Sequence, residues 1–289
     1  MQAHIPVLLD EVLQFLHPQA GGKFIDATLG AGGHTRAMLD RSSPDGRVLA
    51  IDHDEVAIAE TVRNLQSFGS RLEIVKANFR SIASIAEQRG FTDADGVLAD
   101  VGLSSMMVDD ASRGFSFKRE GPLDMRMDRE QEMTAADVVN TFAEKEIADI
   151  LFNFGEERRS RAIARSIVRS RPLKLTSDLV RAVGAVMGTP RYGHIHPSTR
   201  TFQALRIFVN DELSSLESFI DASMSVVRPG GRVVIITFHS LEDRIVKTKF
   251  RTPVIAGKAL TKKVVTASEE ELRRNPRARS AKLRAWERA

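Results

Sequence analysis

Residues 23–34, KFIDATLGAGGH, carry the residue types and spacing most able to do chemistry in this chain. A short apolar run, Phe24 and Ile25, ends in Asp26, and Gly30, Gly32 and Gly33 follow at once. This pattern reads as a parallel strand entering a tight turn and then a helix, where open α/β sheets bind nucleotide-like ligands. Glycine lets the backbone turn at positive φ and approach a ligand with no Cβ in the way. A second run, RVLAID at 47–52, ends in Asp52, an acid placed to accept both hydroxyls of a ribose. The two segments together predict an adenosine-containing cofactor.

The spacing narrows the choice of cofactor. A dinucleotide fingerprint asks for G-x-G-x-x-G, and here Thr35 stands where the third glycine belongs. There is no G-x-x-x-x-G-K-[ST] cradle for a triphosphate. S-adenosylmethionine, with a ribose and no phosphate, needs only the close-approach loop and the acid. A nicotinamide dehydrogenase is the rival that Thr35 argues against.

Other candidates fall at the ends of further apolar runs. Phe79 follows the third run, where its ring either lies along an adenine or packs in the core. His34 closes the glycine loop, either reaching a cofactor carboxylate or serving the structure. Asp100 ends the fourth run, GVLAD, and is followed by VGLSS. The segment FHSLEDR at 238–244 reads as a helix cap, Ser240 with Asp243 three residues on. His194 and His196 form H-x-H without a third ligand at metal spacing, so no metal is expected.

These residues need a frame. Strands are predicted at 23–27, 47–52, 72–76 and 96–101, with helices between them at 35–41, 55–65 and 81–89. That alternation means βαβ units and a doubly wound parallel sheet. The rhythm breaks over 106–198, where helices are expected at 135–152, 156–171 and 177–187, with Ser177 as a cap. Pro172, Pro190 and Pro197 punctuate them. It resumes with a helix near 211–227, a Pro229-Gly230-Gly231 turn and a fifth strand at 232–237. The expected organisation is therefore one discontinuous α/β domain, 1–105 with 199–289, interrupted by a helical insertion at 106–198.

Composition bounds the chemistry. The chain has 289 residues, 42% of them hydrophobic, enough to bury a full core. It has no cysteine, which excludes disulfides, thiolate metal sites and the thiolate attack used in methylation at pyrimidine carbon 5. No run suggests a signal peptide or a membrane span, so a soluble, reducing, cytoplasmic setting is expected. The net charge is only +4, and its distribution says more. Arg158, Arg161, Arg165 and Arg169 are spaced to share one helix face. From Leu272 onward, seven basic residues, among them Arg277, Arg279, Lys282 and Arg284, face the single acid Glu287. Both sets on one cofactor-binding enzyme point to a phosphate-rich substrate.

Eight longer segments carry a resemblance: HIPVLLDEVL (4–13), DATLGAGGHT (26–35), RGFSF (113–117), GPLDMRMD (121–128), FGEERRSRAIAR (154–165), PSTRTFQALRIFVNDEL (197–213), FHSLEDRIVK (238–247) and NPRARSAKLRAWER (275–288). Together they resemble the bacterial 16S ribosomal RNA cytosine-N4 methyltransferase family, RsmH (also called MraW). The resemblance implies a class I, Rossmann-like methyltransferase fold with an inserted helical domain. It also implies S-adenosyl-L-methionine as donor and a cytidine of the decoding region as acceptor, met within the small ribosomal subunit. By that family's pattern the cofactor contacts fall on Gly32, Gly33, His34, Asp52, Phe79 and Asp100, with Asp100 the first candidate to orient cofactor and amine. The pattern resembles D-L-G-V-S-S-x-Q-L-D after the fourth strand, whereas this chain reads DVGLSSMMVD. Met107 replaces the Gln, and a thioether cannot donate an amide's hydrogen bonds. The D-P-P-Y-like tetrapeptide of amino-methylating enzymes is absent, so the target base rests on the resemblance. The alternatives are methylation of another RNA position or a non-catalytic RNA-binding assembly factor.

Overall fold

The computed structural model describes residues 5–189 and 195–289. His4 of the first motif, Pro190 and His194 lie outside the described residues. The chain divides into two compact units, Met1–Gly102 with Leu213–Ala289, and Leu103–Glu212.

In the first unit the elements run α1 (Leu9–Leu16), β1 (Lys23–Asp26), α2 (Gly33–Arg41), β2 (Arg47–Asp52), α3 (Glu55–Leu65), β3 (Leu72–Lys76), α4 (Ile82–Arg89) and β4 (Ala94–Asp100). The second unit supplies α5 (Ser105–Asp109), α6 (Ala135–Thr141), α7 (Glu144–Gly155), α8 (Ser160–Arg169), α9 (Thr176–Met187) and α10 (Thr199–Val209). The first unit then continues through α11 (Glu212–Val226), β5 (Val227–Thr237), α12 (Ser240–Arg251), β6 (Gly257–Ala259), α13 (Glu269–Arg274) and β7 (Lys282–Arg288).

The first unit is an α/β sheet of seven strands in the order β3-β2-β1-β4-β5-β7-β6. Strands β1 to β5 are mutually parallel, and β7 runs antiparallel between β5 and β6. Both faces are covered, so the strands read as continuous apolar runs. Alternation still sorts the side chains. Ile25, Leu49, Ile51, Val97, Val233 and Ile235 point into a core closed by Leu216, Phe219 and Ile220 of α11. Phe24, Val48, Leu98, Val234 and Ile236 point the other way, against Val12 and Leu16 of α1 and Met38 and Leu39 of α2. Each such fully buried side chain stabilises the fold by about 2 kcal/mol. The parallel register brings Asp26, Asp52 and Asp100 to the same edge of the sheet, where each strand ends.

Several expectations are corrected. Part of the basic C-terminal segment, expected to serve a phosphate-rich substrate, is a strand: its last seven-residue stretch before Ala289 is β7. Leu283 and Ala285 fill one core and Trp286 the other. The Pro229-Gly230-Gly231 turn lies inside β5, as an irregularity between the pairs Ala94↔Val227 and Gly96↔Arg232. The cap of α12 is His239 rather than Ser240: its ring accepts from Glu242 N–H, while the Glu242 carboxylate accepts from the N–H groups of Phe238 and His239.

The second unit is helical around one core. The helix expected over 135–152 is two helices, α6 and α7, because Phe142 and Ala143 are extended and Glu146 accepts the Ala143 N–H. Helix α9 starts at Thr176 rather than after Ser177, with Asp178 accepting the N–H groups of Lys174 and Leu175. The division falls after Gly102 and Glu212, not at 105 and 198, so α10 belongs to this unit. Phe202 and Leu205 of α10 are buried in its core. Gly155 permits the close approach, since a Cβ there would stand 2.6 Å from the Arg200 carbonyl. Arg113 of the RGFSF motif is buried and donates to the carbonyls of Arg126 and Met127 at 3.0 and 2.7 Å. Arg126 grips Asp124 with two bonds of 2.8 Å. Burial pushes the Asp124 carboxyl up, but these bonds and the Arg126 charge outweigh it and hold the group below its usual range.

Candidate functional site

The glycine loop folds as its composition requires. Gly32 has φ 76° and caps α2, and a Cβ there would stand 2.5 Å from Thr61 Cγ2. Gly30 also has positive φ, 49°, but a Cβ would meet only the Thr28 carbonyl at 4.0 Å. Gly32 is therefore demanded by packing, whereas Gly30 leaves open space on the loop's outer side. A Cβ on Gly33 would collide with the Pro6 ring.

Backbone N–H groups orient the Asp52 carboxylate, and a backbone bond fixes the strand tip at Asp100. Asp52 accepts from Gly30 N–H at 2.8 Å through Oδ2 and from Asp54 N–H at 2.9 Å through Oδ1. Each carboxylate oxygen keeps a second lone pair for a diol. The Asp100 N–H donates to Thr28 Oγ1 at 2.7 Å, fixing the tip of β4. His34 Nε2 stands 3.7 Å from Asp100 Oδ2, too far for a hydrogen bond. Both ring nitrogens of His34 and Asp100 Oδ1 are buried with no partner among the described residues. Buried polar atoms are almost always satisfied, so three together call for a polar ligand. S-adenosylmethionine, with its hydroxyls, amine and carboxylate, fits such a set.

Asp26 lies beneath this pair, 1% exposed. It accepts from Thr35 Oγ1 at 2.6 Å and from Thr28 N–H at 3.2 Å. Burial pushes its carboxyl up to about 6, against the pull of the Thr35 bond and His34. Thr28 and Thr35 are the site residues that sequence reasoning missed. Their signal is a pair of hydroxyls flanking the acid, whereas spacing alone presents Thr35 only as a missing glycine.

Phe79 is half-buried and meets Phe219 edge-on, with centroids 5.0 Å apart. Gly32, Gly33, His34, Asp52, Phe79 and Asp100 all belong to the first unit, around the strand tips. Met107 belongs to the second unit, where its side chain is 3% exposed in the core. His196 stacks on Phe117 at 4.4 Å and accepts the Ser198 N–H through Nδ1.

The basic sets divide on inspection. Arg161, Arg165 and Arg169 lie exposed on α8, whereas Arg158 precedes the helix in an exposed turn, so the four do not share one helix face. Arg165 pairs with Glu144 at 3.4 Å. Arg277 and Arg279 are exposed on a short 3-10 turn, and Lys282 is half-buried. Arg284 is 9% exposed and clasps Asp243 at 2.6 and 3.2 Å, which commits its charge within the fold. Among the described residues no helix is long and apolar enough to cross a membrane.

Comparison with known proteins bears on the same residues. The chain is 49% identical over 286 residues to the ribosomal RNA small subunit methyltransferase H of Nostoc punctiforme, covering 99% of this chain and 94% of that one. The protein of the same name from Carboxydothermus hydrogenoformans is 46% identical over 309 residues, covering 99% and 97%. That from Dehalococcoides mccartyi is 45% identical over 302 residues, covering 99% and 86%. The model of the MraW methylase family matches residues 1–289, through the glycine loop, the inserted unit and β7 alike. With its acids at the strand tips and that match along its whole length, the chain belongs to the MraW methylase family.

Proposed function

We propose that the protein transfers a methyl group from S-adenosylmethionine to the exocyclic N4 amine of a cytidine in the decoding region of 16S ribosomal RNA, met within the small subunit. The methylase class comes with the family. The observation that carries the site is the unpartnered Asp100 Oδ1 beside the unpartnered His34 ring, at a strand tip level with Asp52. The ribosomal setting is supported by the relatives' names, and the base by the resemblance to the cytosine-N4 methyltransferase family.

When bound, S-adenosylmethionine supplies an electrophilic methyl carbon on a sulfonium. Asp52, held by two backbone N–H groups, takes the ribose hydroxyls. Gly32 and Gly33 would let the loop backbone approach the cofactor, and Phe79 would offer its ring to the adenine. His34 donates to the cofactor's carboxylate. Asp100 orients the cofactor and the amine, whose lone pair is delocalised into the ring and makes it a poor nucleophile. The gain comes from positioning and from fixed charges around the reacting atoms. A base in structured RNA must be splayed out before it reaches such a pocket. Arg161, Arg165 and Arg169 on α8, with Arg158, Arg277, Arg279 and Lys282, serve the phosphates.

Nucleoside mass spectrometry tests this directly. Purified protein and S-adenosylmethionine are incubated with unmodified small subunits and, separately, naked 16S RNA. The expected product is N4-methylcytidine in one of them, lost in Asp100→Ala. Cofactor binding without transfer to either acceptor would replace the reading with that of a binding factor.

A further inference from the structure

A basic concavity lies in the first unit, built by α12, β7 and the segment after β6 rather than by the strand tips. It encloses about 270 Å³ and is lined by Lys247, Arg251, Lys262, Arg284, Thr261 and Phe250, among others. Helix α12 starts just after the tip of β5, and Lys247 and Arg251 follow about 10 and 16 Å along its axis. We propose that this concavity is a binding site for a phosphate of the RNA backbone, separate from the cofactor site. This rests on the ribosomal RNA reading above.

Unpaired charge sets this hollow apart. Arg284 is neutralised by Asp243, but Lys247, Arg251 and Lys262 have no acidic partner among the described residues. Cations nearby do pair where an acid is within reach: Lys249 with Asp221 at 2.6 Å and Lys258 with Glu287 at 2.9 Å. A helix C-terminus favours cations, which accounts for Arg251 alone at most. Lys262 comes from a different segment and gains nothing from that dipole. Three like charges converging on one hollow repel one another, and an anion between them relieves the repulsion.

The lining also selects the anion. Thr261 is buried and accepts the Ala285 N–H at 3.2 Å, leaving its own hydroxyl proton to donate. Phe250 is 3% exposed and lies against Trp286, with centroids 6.5 Å apart, so it offers no free ring for a base. The carboxylate of Asp243 is engaged by Arg284 and offers nothing to a ribose. What remains recognises a phosphate and no base, the signature of contacts that position an RNA without reading its sequence.

The test is RNA binding by the triple variant Lys247→Gln, Arg251→Gln and Lys262→Gln. All three side chains are exposed, and an unchanged thermal midpoint reports an intact fold. Affinity for naked 16S RNA is measured across a salt series, beside a charge-matched control of Arg41→Gln, Arg63→Gln and Arg89→Gln. The triple variant is expected to bind about tenfold more weakly. Its slope of log-affinity against log-salt should be shallower by about 0.7 for each phosphate that is no longer neutralised. A weakening no larger than the control's overturns the proposal. So does inorganic phosphate binding that the triple variant abolishes while RNA affinity stays unchanged, which would mark a free-phosphate site. Because the readout is binding, a wild-type protein that transfers no methyl group while showing the expected slope change sinks the proposed function and leaves this site standing.

Discussion

Thr35 donates its hydroxyl proton to Asp26 across 2.6 Å, between two side chains that are both buried beneath the glycine loop. The bond favours the carboxylate, but burial favours the acid and wins, pushing Asp26 up to about 6. Since an unfolded aspartate titrates near 3.9, at about that pH the folded state begins to hold a proton that the unfolded chain loses. The stability from this site is fully present below about pH 4 and is lost as pH rises through about 6. Asp26→Asn removes the titration. Its stability relative to the wild type should therefore improve from about pH 4 to 7, which urea midpoints of both proteins would reveal. Parallel pH profiles would refute the assignment.

Asp100→Asn keeps the shape of the β4 tip and removes the charge. Methyl transfer is expected to fall about 10²- to 10³-fold, as for loss of a preorganised electrostatic group. Single-turnover rates and cofactor affinity measured together separate the roles. A loss confined to affinity would make Asp100 a cofactor ligand alone.

Gly32→Ala should destabilise the protein by about 1–3 kcal/mol, combining a left-handed backbone with overpacking against Thr61 and Leu65. Gly30→Ala should cost about 1 kcal/mol, since its φ is also positive but its Cβ position is open. Thermal midpoints check the order. Equal losses at the two positions would show that packing against α3 is not what Gly32 serves.

Arg284→Met should act on folding. It leaves Asp243 without its partner in a largely buried place, a loss of about 3 kcal/mol. Combining it with Asp243→Leu should recover much of that, and a denaturation cycle over the four proteins measures the coupling. Additive losses would show that the pair is not coupled.

The arginines of α8 should behave differently. Arg161→Gln with Arg169→Gln removes two exposed charges, so stability should stay within about 0.5 kcal/mol of the wild type. Binding to 16S RNA should weaken, with a shallower salt dependence. An unaltered salt slope would remove α8 from the RNA-binding surface.

The legibility of the chain follows from where its charges go. Strands β1, β2 and β4 are readable because each is an apolar run stopped by an acid, and that same acid marks the site. Strand β7 is not, because KLRAWER looks basic and solvated. Its charges are spent inside the fold, Arg284 on Asp243 and Arg288 on the carbonyls of Ser225 and Val227. Helix α10 falls on the unexpected side of the division because nothing in PSTRTFQALRIFV states which core its apolar face fills. The cap of α12 is displaced by one residue because His239 is a less expected cap than Ser240. The buried bond between Thr35 and Asp26 needs three dimensions, since nine residues and a turn separate its ends.

The antiparallel strand β7 also sets an order of events during synthesis. The second unit is a single continuous stretch and can complete its own core as soon as it has emerged. The sheet cannot, because Thr237 of β5 meets Lys282 of β7, 45 positions later. Strand β6 is made first but pairs with no strand except β7, so it too must wait to join the sheet. Until then a nascent chain carries β5 with its apolar edge open, the kind of edge that other strands add to. A pause or a premature stop within that interval would release a chain whose insertion is folded and whose sheet is still adhesive.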